Sequence, residues 1–147
     1  MATKTDWEEL VYTRAESDVL REIRAAYARG DILDGNAGLE ELLDAMSGRE
    51  DHQLESRLIV LMAHILKWKT QPPTQSWVST IRTQRRALAR LLRRAPRYTQ
   101  ERILRDFWDE ALADAMADAA DEMGQPPAVD TLTWEEVFET EYRLPER

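Results

Sequence analysis

Arg57, His64 and Lys67 are the residues of this chain whose types and spacing could carry chemistry. A helix through this stretch would place all three on one side. A neutral imidazole between two cations could act as a general base or help to bind an anion. The histidine could equally make one structural hydrogen bond, because no nucleophile or carboxylate is placed beside it. Both interpretations stay open, and the structural one comes first.

Metal ligands are scarce in the sequence. The chain has two histidines and no cysteine, which excludes disulfides, thiolate metal sites and a cysteine nucleophile. His52 and Glu55 are three residues apart, but in the reverse of the order used by dimetal bundles, and the second such motif is missing. We therefore predict no metal and no cofactor.

An arginine row recurs at intervals of four residues further along the chain, at Arg82, Arg86, Arg90 and Arg94. Like charges at this spacing repel by about 0.2–0.5 kcal/mol per pair on a helix, so something must compensate. Asp106 and Glu110 could pair with the row, or the row could bind the phosphates of a nucleic acid. We predict an internal or solvated ion network first, because charged helix faces are common.

Charge is segregated along the chain. Residues 67–105 hold 11 Lys or Arg and one Asp or Glu, whereas residues 1–66 and 106–147 carry net charges of −7 and −11. The basic block can pair internally or present a positive face to a partner. The total charge of −8 and the pI near 4.9 weaken the case for nucleic acid.

The elements that must position these residues are helices. Composition favours helix, and no stretch alternates with period two, so we predict an all-α fold. The 147 residues are expected to form one domain, residues 1–147. The apolar pattern predicts five main helices, at about 6–28, 39–46, 48–70, 76–95 and 99–123. Residues 31–38 are predicted to be a loop.

Helix ends have sequence signals. Capping boxes are predicted at Thr5, Ser47 and Thr133, each with Glu three residues later. Gly30 and Gly124 fit helix C-termini. The segment at about 126–147 is too apolar for a free tail, so we expect it to form a short helix that docks. Trp68 and Trp77 are expected to clamp the turn at Pro72-Pro73, and Glu55 to pair with an arginine.

The stretch from Leu54 to Arg86 resembles the bacterial domain of unknown function twenty-nine family. The resemblance rests on Leu54-Glu55-Ser56-Arg57-Leu58, Leu61, His64-Ile65-Leu66-Lys67-Trp68, Gln71-Pro72, Ser76-Trp77, Ile81 and Arg85. It covers about residues 6–125. The chain departs from the family's pattern at Lys69, where Gln is usual, and in a shorter loop before Trp77. The resemblance implies an all-helical fold and no known activity. It makes Glu55, Trp68 and Trp77 positions to test, with Arg57, His64 and Lys67.

Three functions remain open at this point. We predict first a small interaction module that binds another protein or a second copy of itself. Nucleic-acid binding through the arginine row comes second, and an enzyme with a site around His64 third. No apolar run approaches the roughly 20 residues of a membrane span, and the first residues lack a signal peptide's apolar core. We therefore expect a cytoplasmic protein with no membrane partner.

Overall fold

The computed structural model describes residues 5–145. Those residues form seven α-helices and no strand, which confirms the all-α prediction. In chain order the helices are α1 Trp7–Thr13, α2 Glu16–Ala28, α3 Ile32–Thr70, α4 Gln75–Arg94, α5 Gln100–Asp106, α6 Trp108–Met123 and α7 Trp134–Phe138. Two of the predicted helices are each divided in two, and two others are merged into one.

The chain divides into two compact units, of which the first ends at His52 and the second begins at Gln53. The first unit contains α1, α2 and the first half of α3, and the second contains the rest of α3 and α4 to α7. The single domain that the chain length suggests stays a prediction.

The first unit starts with two helices where the sequence predicted one. Arg14 and Ala15 have extended backbone angles between α1 and α2. No Gly or Pro marks this break in the sequence. Tertiary packing explains it, because the turn lets both helices bury apolar side chains in one core, made of Trp7, Val11, Val19, Ile23, Ala26 and Leu42.

The predicted capping box at Thr5 is wrong, because Asp6 caps α1 by accepting a hydrogen bond from the backbone N–H of Glu9 at 3.2 Å. Thr5 and the indole N–H of Trp7 instead donate to the two carboxylate oxygens of Asp34, each at 2.8 Å. These hydrogen bonds hold the pKa of Asp34 below its usual value. Asp34 thereby anchors the start of α1 to α3.

Residues 31–38 are not the predicted loop, because α3 begins at Ile32. The side chain of Asp31 caps it by accepting from the backbone N–H of Asp34 at 3.1 Å. The two glycines that favoured a loop serve packing instead. A Cβ atom on Gly38 would stand 2.7 Å from the ring of Trp7, and one on Gly35 would stand 2.7 Å from the ring of Tyr27. Only glycine lets these rings approach the helix so closely.

α3 then continues without a break to Thr70, so the predicted helix end near Met46 and the capping box at Ser47 are wrong. No proline stands between Gly30 and Pro72. Ser and Gly cost a helix interior only about 0.5–1 kcal/mol each. Burial of Leu42 and Leu54 on either side outweighs that penalty.

Two predicted glycine caps are confirmed. Gly30 has φ 81°; its N–H bonds the carbonyl of Tyr27, and the N–H of Asp31 bonds that of Ala26, both at 3.0 Å. This pair of bonds is a Schellman motif. Gly124, with φ 69°, ends α6 in the same left-handed conformation.

The second unit is organised around the C-terminal half of α3. Its largest fully buried side chains come from α3, α4, α5 and α7: Leu54, Leu58, Leu61, Met62, Ile65, Leu66, Ile81, Leu88, Leu91, Ile103 and Val137. α6 contributes three buried alanines, which lets it pack closely. The predicted helix at 99–123 breaks at Phe107, whose ring meets Tyr98 edge-on at 5.9 Å between centroids.

The docked C-terminal helix is confirmed as α7. Thr133 and Glu136 form the predicted capping box, with both hydrogen bonds present. Leu132, Val137 and Tyr142 are buried in the core of the second unit. Its docking buries apolar surface that a free tail would leave in water.

Candidate interaction surfaces

The structure brings His64 and Lys67 together with Glu122, which lies 55 positions after Lys67 in the sequence. Nδ1 of His64 lies 2.8 Å from the carbonyl oxygen of Val60 and therefore donates to it. Nε2 lies 3.5 Å from Nζ of Lys67, which also pairs with the Glu122 carboxylate. The ammonium group stands 5.5 Å from the ring centroid of Trp77, within cation–π range.

This cluster has the electrostatics of a structural contact. Burial, with the neighbouring Lys67 charge adding to it, lowers the pKa of His64. The hydrogen bond from Lys67 lowers the pKa of Glu122. Lys67 is only 5% exposed, so its charge is committed to Glu122 and is not presented to solvent. Through this pair α6 is tied to α3.

Arg57 does not join that cluster. Its Nη1 donates to the side-chain oxygen of Gln84 on α4 at 3.2 Å. Its Nε is buried and makes no hydrogen bond to residues 5–145. The polar strip predicted along α3 is thus divided, with Arg57 directed to α4 and Lys67 to α6.

The arginine row is exposed on α4. Arg82, Arg86, Arg90 and Arg94 all lie in solvent, while Val78, Ile81, Ala87, Leu88 and Leu91 bury the opposite side of the helix. None of the four forms an ion pair with residues 5–145. Arg94 makes one weak hydrogen bond, to Gln53 at 3.5 Å.

The acidic residues predicted to compensate the row do not reach it. Asp106 pairs with Arg105 at 3.0 Å and with Arg102 at 3.6 Å, both on its own helix. Hydrogen bonding to Arg105 lowers the pKa of Asp106. Glu110 is exposed and has no ion pair within residues 5–145. The sequence predicted an ion network that is either internal or solvated, and this face of α4 is the solvated alternative.

The other motif positions have packing surroundings. Trp68 meets Tyr142 edge-on at 5.4 Å between ring centroids, so it supports the C-terminal segment, and the predicted clamp of the proline turn stays a prediction. Trp77 lies beside Lys67. Glu55 is half-buried and pairs with no arginine among residues 5–145, which corrects its predicted ion pair. Trp134 stacks on Trp108 at 5.8 Å between centroids, within an internal aromatic cluster.

Arg85 has a role that the sequence did not reveal. It sits one position from the exposed row but turns to the end of α7, where its guanidinium group donates to the carbonyls of Val137, Thr140 and Glu136 at 2.8, 2.6 and 3.1 Å. Lys69 adds an ion pair to Glu136. Contacts between residues so far apart in the sequence cannot be predicted from the spacing of residues along the chain.

The first unit has a large exposed apolar surface. Exposed large hydrophobic side chains in the described part of this unit are Tyr12, Leu20, Tyr27, Ile32, Leu33, Leu39, Leu43 and Met46. In the described part of the second unit Leu104 stands alone in that class. On α3, Leu39, Leu43 and Met46 lie about 60°, 100° and 40° round the helix from buried Leu42, all in the same direction.

Neither a metal cluster nor a membrane-spanning helix occurs within residues 5–145. No group of three or more His, Asp or Glu side chains there could hold a metal ion. Each helix described is too short or too polar to cross a bilayer.

Fold and surfaces define an all-α protein with one basic and one apolar exposed helix face. The model of the family described as domain of unknown function DUF29 matches residues 28–143, and the chain belongs to that family. The predicted resemblance is confirmed, although the match begins later and extends further, through α7. No curated protein and no solved structure matches the chain.

Proposed function

We propose that this protein is a helical interaction module whose arginine row binds an acidic segment of another protein. The observation that carries the proposal is the exposure of Arg82, Arg86, Arg90 and Arg94 without ion pairs to residues 5–145. Their mutual repulsion on α4 is left uncompensated within that part of the chain. Carboxylates of a partner would supply the missing opposite charge.

The geometry of α4 suits such a partner. Buried Ile81, Leu88 and Leu91 fix the rotation of the helix, so the guanidinium groups emerge as a row that turns by about 120° round α4 from Arg82 to Arg94. Four residues of helix advance about 6 Å, and the row is about 18 Å long. Guanidinium groups bind carboxylates in a two-pronged geometry. An acidic helix or extended acidic segment of this length would match the row.

A protein partner is favoured over nucleic acid by the net negative charge of the chain. The chain carries a net charge of −8, and Asp109, Glu110, Asp114, Asp118 and Asp121 are exposed on α6 of the same unit. A long polyanion would meet repulsion beyond α4. A short acidic segment would avoid it.

The test is affinity purification of the tagged protein from its host, with and without nuclease, read by mass spectrometry. We expect a nuclease-resistant protein partner whose retention falls as salt rises. The variant Arg86→Gln/Arg90→Gln should retain about tenfold less of it, if each lost pair contributes about 0.7 kcal/mol. The control Arg14→Gln/Arg143→Gln removes two exposed arginines outside α4 and should retain it fully. Equal retention by both variants would contradict the proposal.

Nucleic acid remains the second candidate, because exposed guanidinium groups also bind phosphates. Binding to nucleic acid predicts that the molecules captured with the tagged protein are lost after nuclease treatment. It also predicts that affinity for a mixed-sequence RNA or DNA falls steeply between about 50 and 200 mM salt. Such a result would replace the proposed partner class while keeping the arginine row as the binding surface.

A further inference from the structure

The antiparallel pair of α2 and α3 in the first unit carries an exposed apolar face. We call it the α2–α3 face; its members, with their exposed fractions, are Leu20 (50%), Tyr27 (38%), Ile32 (61%), Leu39 (39%), Leu43 (54%) and Met46 (40%). Contiguous apolar surface of this kind usually marks an interaction site.

Spacing on α3 supports a helix as the occupant. From Ile32 through Asn36, Leu39, Leu43 and Met46 the steps are four, three, four and three residues. A mean step of 3.5 residues is the pattern of a helix that packs along another helix. The single polar position, Asn36, accepts a hydrogen bond from the hydroxyl of Tyr27 at 2.6 Å, so its side-chain oxygen is satisfied within the face.

Two contacts give the register between α2 and α3. Tyr27 is level with Asn36 through that hydrogen bond, and Glu16 is level with Arg49 through an ion pair. By interpolation along the two antiparallel helices, Arg24 is level with Glu40, and Leu20 with Leu43.

Opposite charges border the face. Arg24 lies about 50° round α2 from Leu20 and Tyr27, on the side away from α3, and Glu40 lies beyond Leu39 and Leu43 on the side of α3 away from α2. Both are exposed, and neither forms an ion pair with residues 5–145. One edge of the face is therefore basic and the other acidic.

We propose that the α2–α3 face is the interface of a symmetric dimer with a second copy of this chain. A two-fold axis parallel to the helices places α2 of one copy over α3 of the other, so that Arg24 meets the partner's Glu40 and Leu20 meets the partner's Leu43. A two-fold axis across the helices would instead bring like charges together. Charge thus selects one arrangement, and the face is complementary to itself, as such dimers require.

The proposal is tested by sedimentation equilibrium of the full chain over a wide concentration range, up to about 200 µM. The wild type should show twice the 17.1 kDa chain mass. Leu43→Glu should be monomeric, with helical content unchanged by circular dichroism because the position is exposed. The control is Leu33→Glu, which alters an even more exposed side chain (83%) of α3 outside the face and should stay dimeric.

Charge exchange tests the arrangement itself. Arg24→Glu and Glu40→Arg should each weaken the dimer about tenfold or more, because each places two like-charged pairs in the interface. The double variant Arg24→Glu/Glu40→Arg should restore it. A monomeric wild type at every concentration, equal disruption by Leu33→Glu, or failure of the double variant to recover would overturn the proposal. The arginine-row variant should remain dimeric, which separates this inference from the proposed function.

Discussion

The guanidinium Nε of Arg85 on α4 donates to the carbonyl oxygen of Val137 in α7 at 2.8 Å. Two further carbonyls near the end of α7 accept from the same group, and the ring of Tyr142 lies 5.3 Å from its centre. A cation at a helix C-terminus satisfies carbonyls that have no partner inside the helix. Arg85 therefore caps α7 from another element.

Arg85→Ala should lower the free energy of unfolding by about 1.5–3 kcal/mol, because it removes charge-assisted hydrogen bonds that are partly buried. Urea denaturation monitored by tryptophan fluorescence measures this change. Arg86→Ala is the matched control on the next, exposed residue, and it should not lower the free energy of unfolding, because it removes two like-charge repulsions within the row. Equal effects of the two substitutions would remove the capping role.

Gly38 and Gly48 offer a second matched pair within α3. Alanine normally stabilises a helix interior by about 1 kcal/mol relative to glycine, and Gly48→Ala should do so because nothing lies within 4 Å of its added Cβ. Gly38→Ala should instead destabilise the protein by about 1–3 kcal/mol, because its Cβ would overlap the ring of Trp7. Thermal unfolding of both variants measures the two stability changes. Stabilisation by Gly38→Ala would contradict the packing of Trp7 against α3.

These glycines also show how far the sequence could lead. Residues whose function is local were predicted correctly, such as Thr133 with Glu136 and the cap at Gly30, because their partners are within a few positions. The sequence predicts a loop at Gly35 and Gly38, because the rings of Tyr27 and Trp7 that require glycine there come from other helices. The break at Arg14 likewise follows from tertiary packing, without any local signal.

The candidate surfaces likewise have features that local spacing predicted and features that depend on tertiary contacts. The spacing of four residues predicted that consecutive members of the arginine row are neighbours on α4. It did not predict that Asp106 pairs with Arg105 and leaves the row to solvent, since side-chain choice among several nearby cations depends on three-dimensional geometry. The ion pair of Lys67 with Glu122, which lies 55 positions away, likewise could not be predicted from the spacing of residues.

His64 should make stability depend on pH. Its pKa is lowered in the folded protein, chiefly by burial, so on acidification the unfolded chain binds the proton first. Its contribution is present above about pH 6.5 and is lost as the pH falls below that unfolded value. His64→Gln should flatten the slope of unfolding free energy between about pH 7.5 and 5.5. An unchanged slope in His64→Gln would refute this assignment.

The arginine row should itself cost stability. Arg90 has Arg86 and Arg94 as neighbours at four residues, so Arg90→Gln removes two repulsions and should raise the unfolding free energy by about 0.4–1 kcal/mol at low salt. The gain should shrink at about 1 M salt, where screening is strong. Arg90→Lys keeps the charge and should show no such gain. Destabilisation by Arg90→Gln would mean that the row is internally paired.

The most direct test of the central claim is site-specific photo-crosslinking in the host cell. A benzophenone amino acid in place of Arg86 should form a covalent adduct with a single protein, and the same group in place of Asp118, exposed on α6, should not. An adduct at position 86 made only with nucleic acid, or no adduct there at all, would contradict the claim that the arginine row is a protein-binding surface.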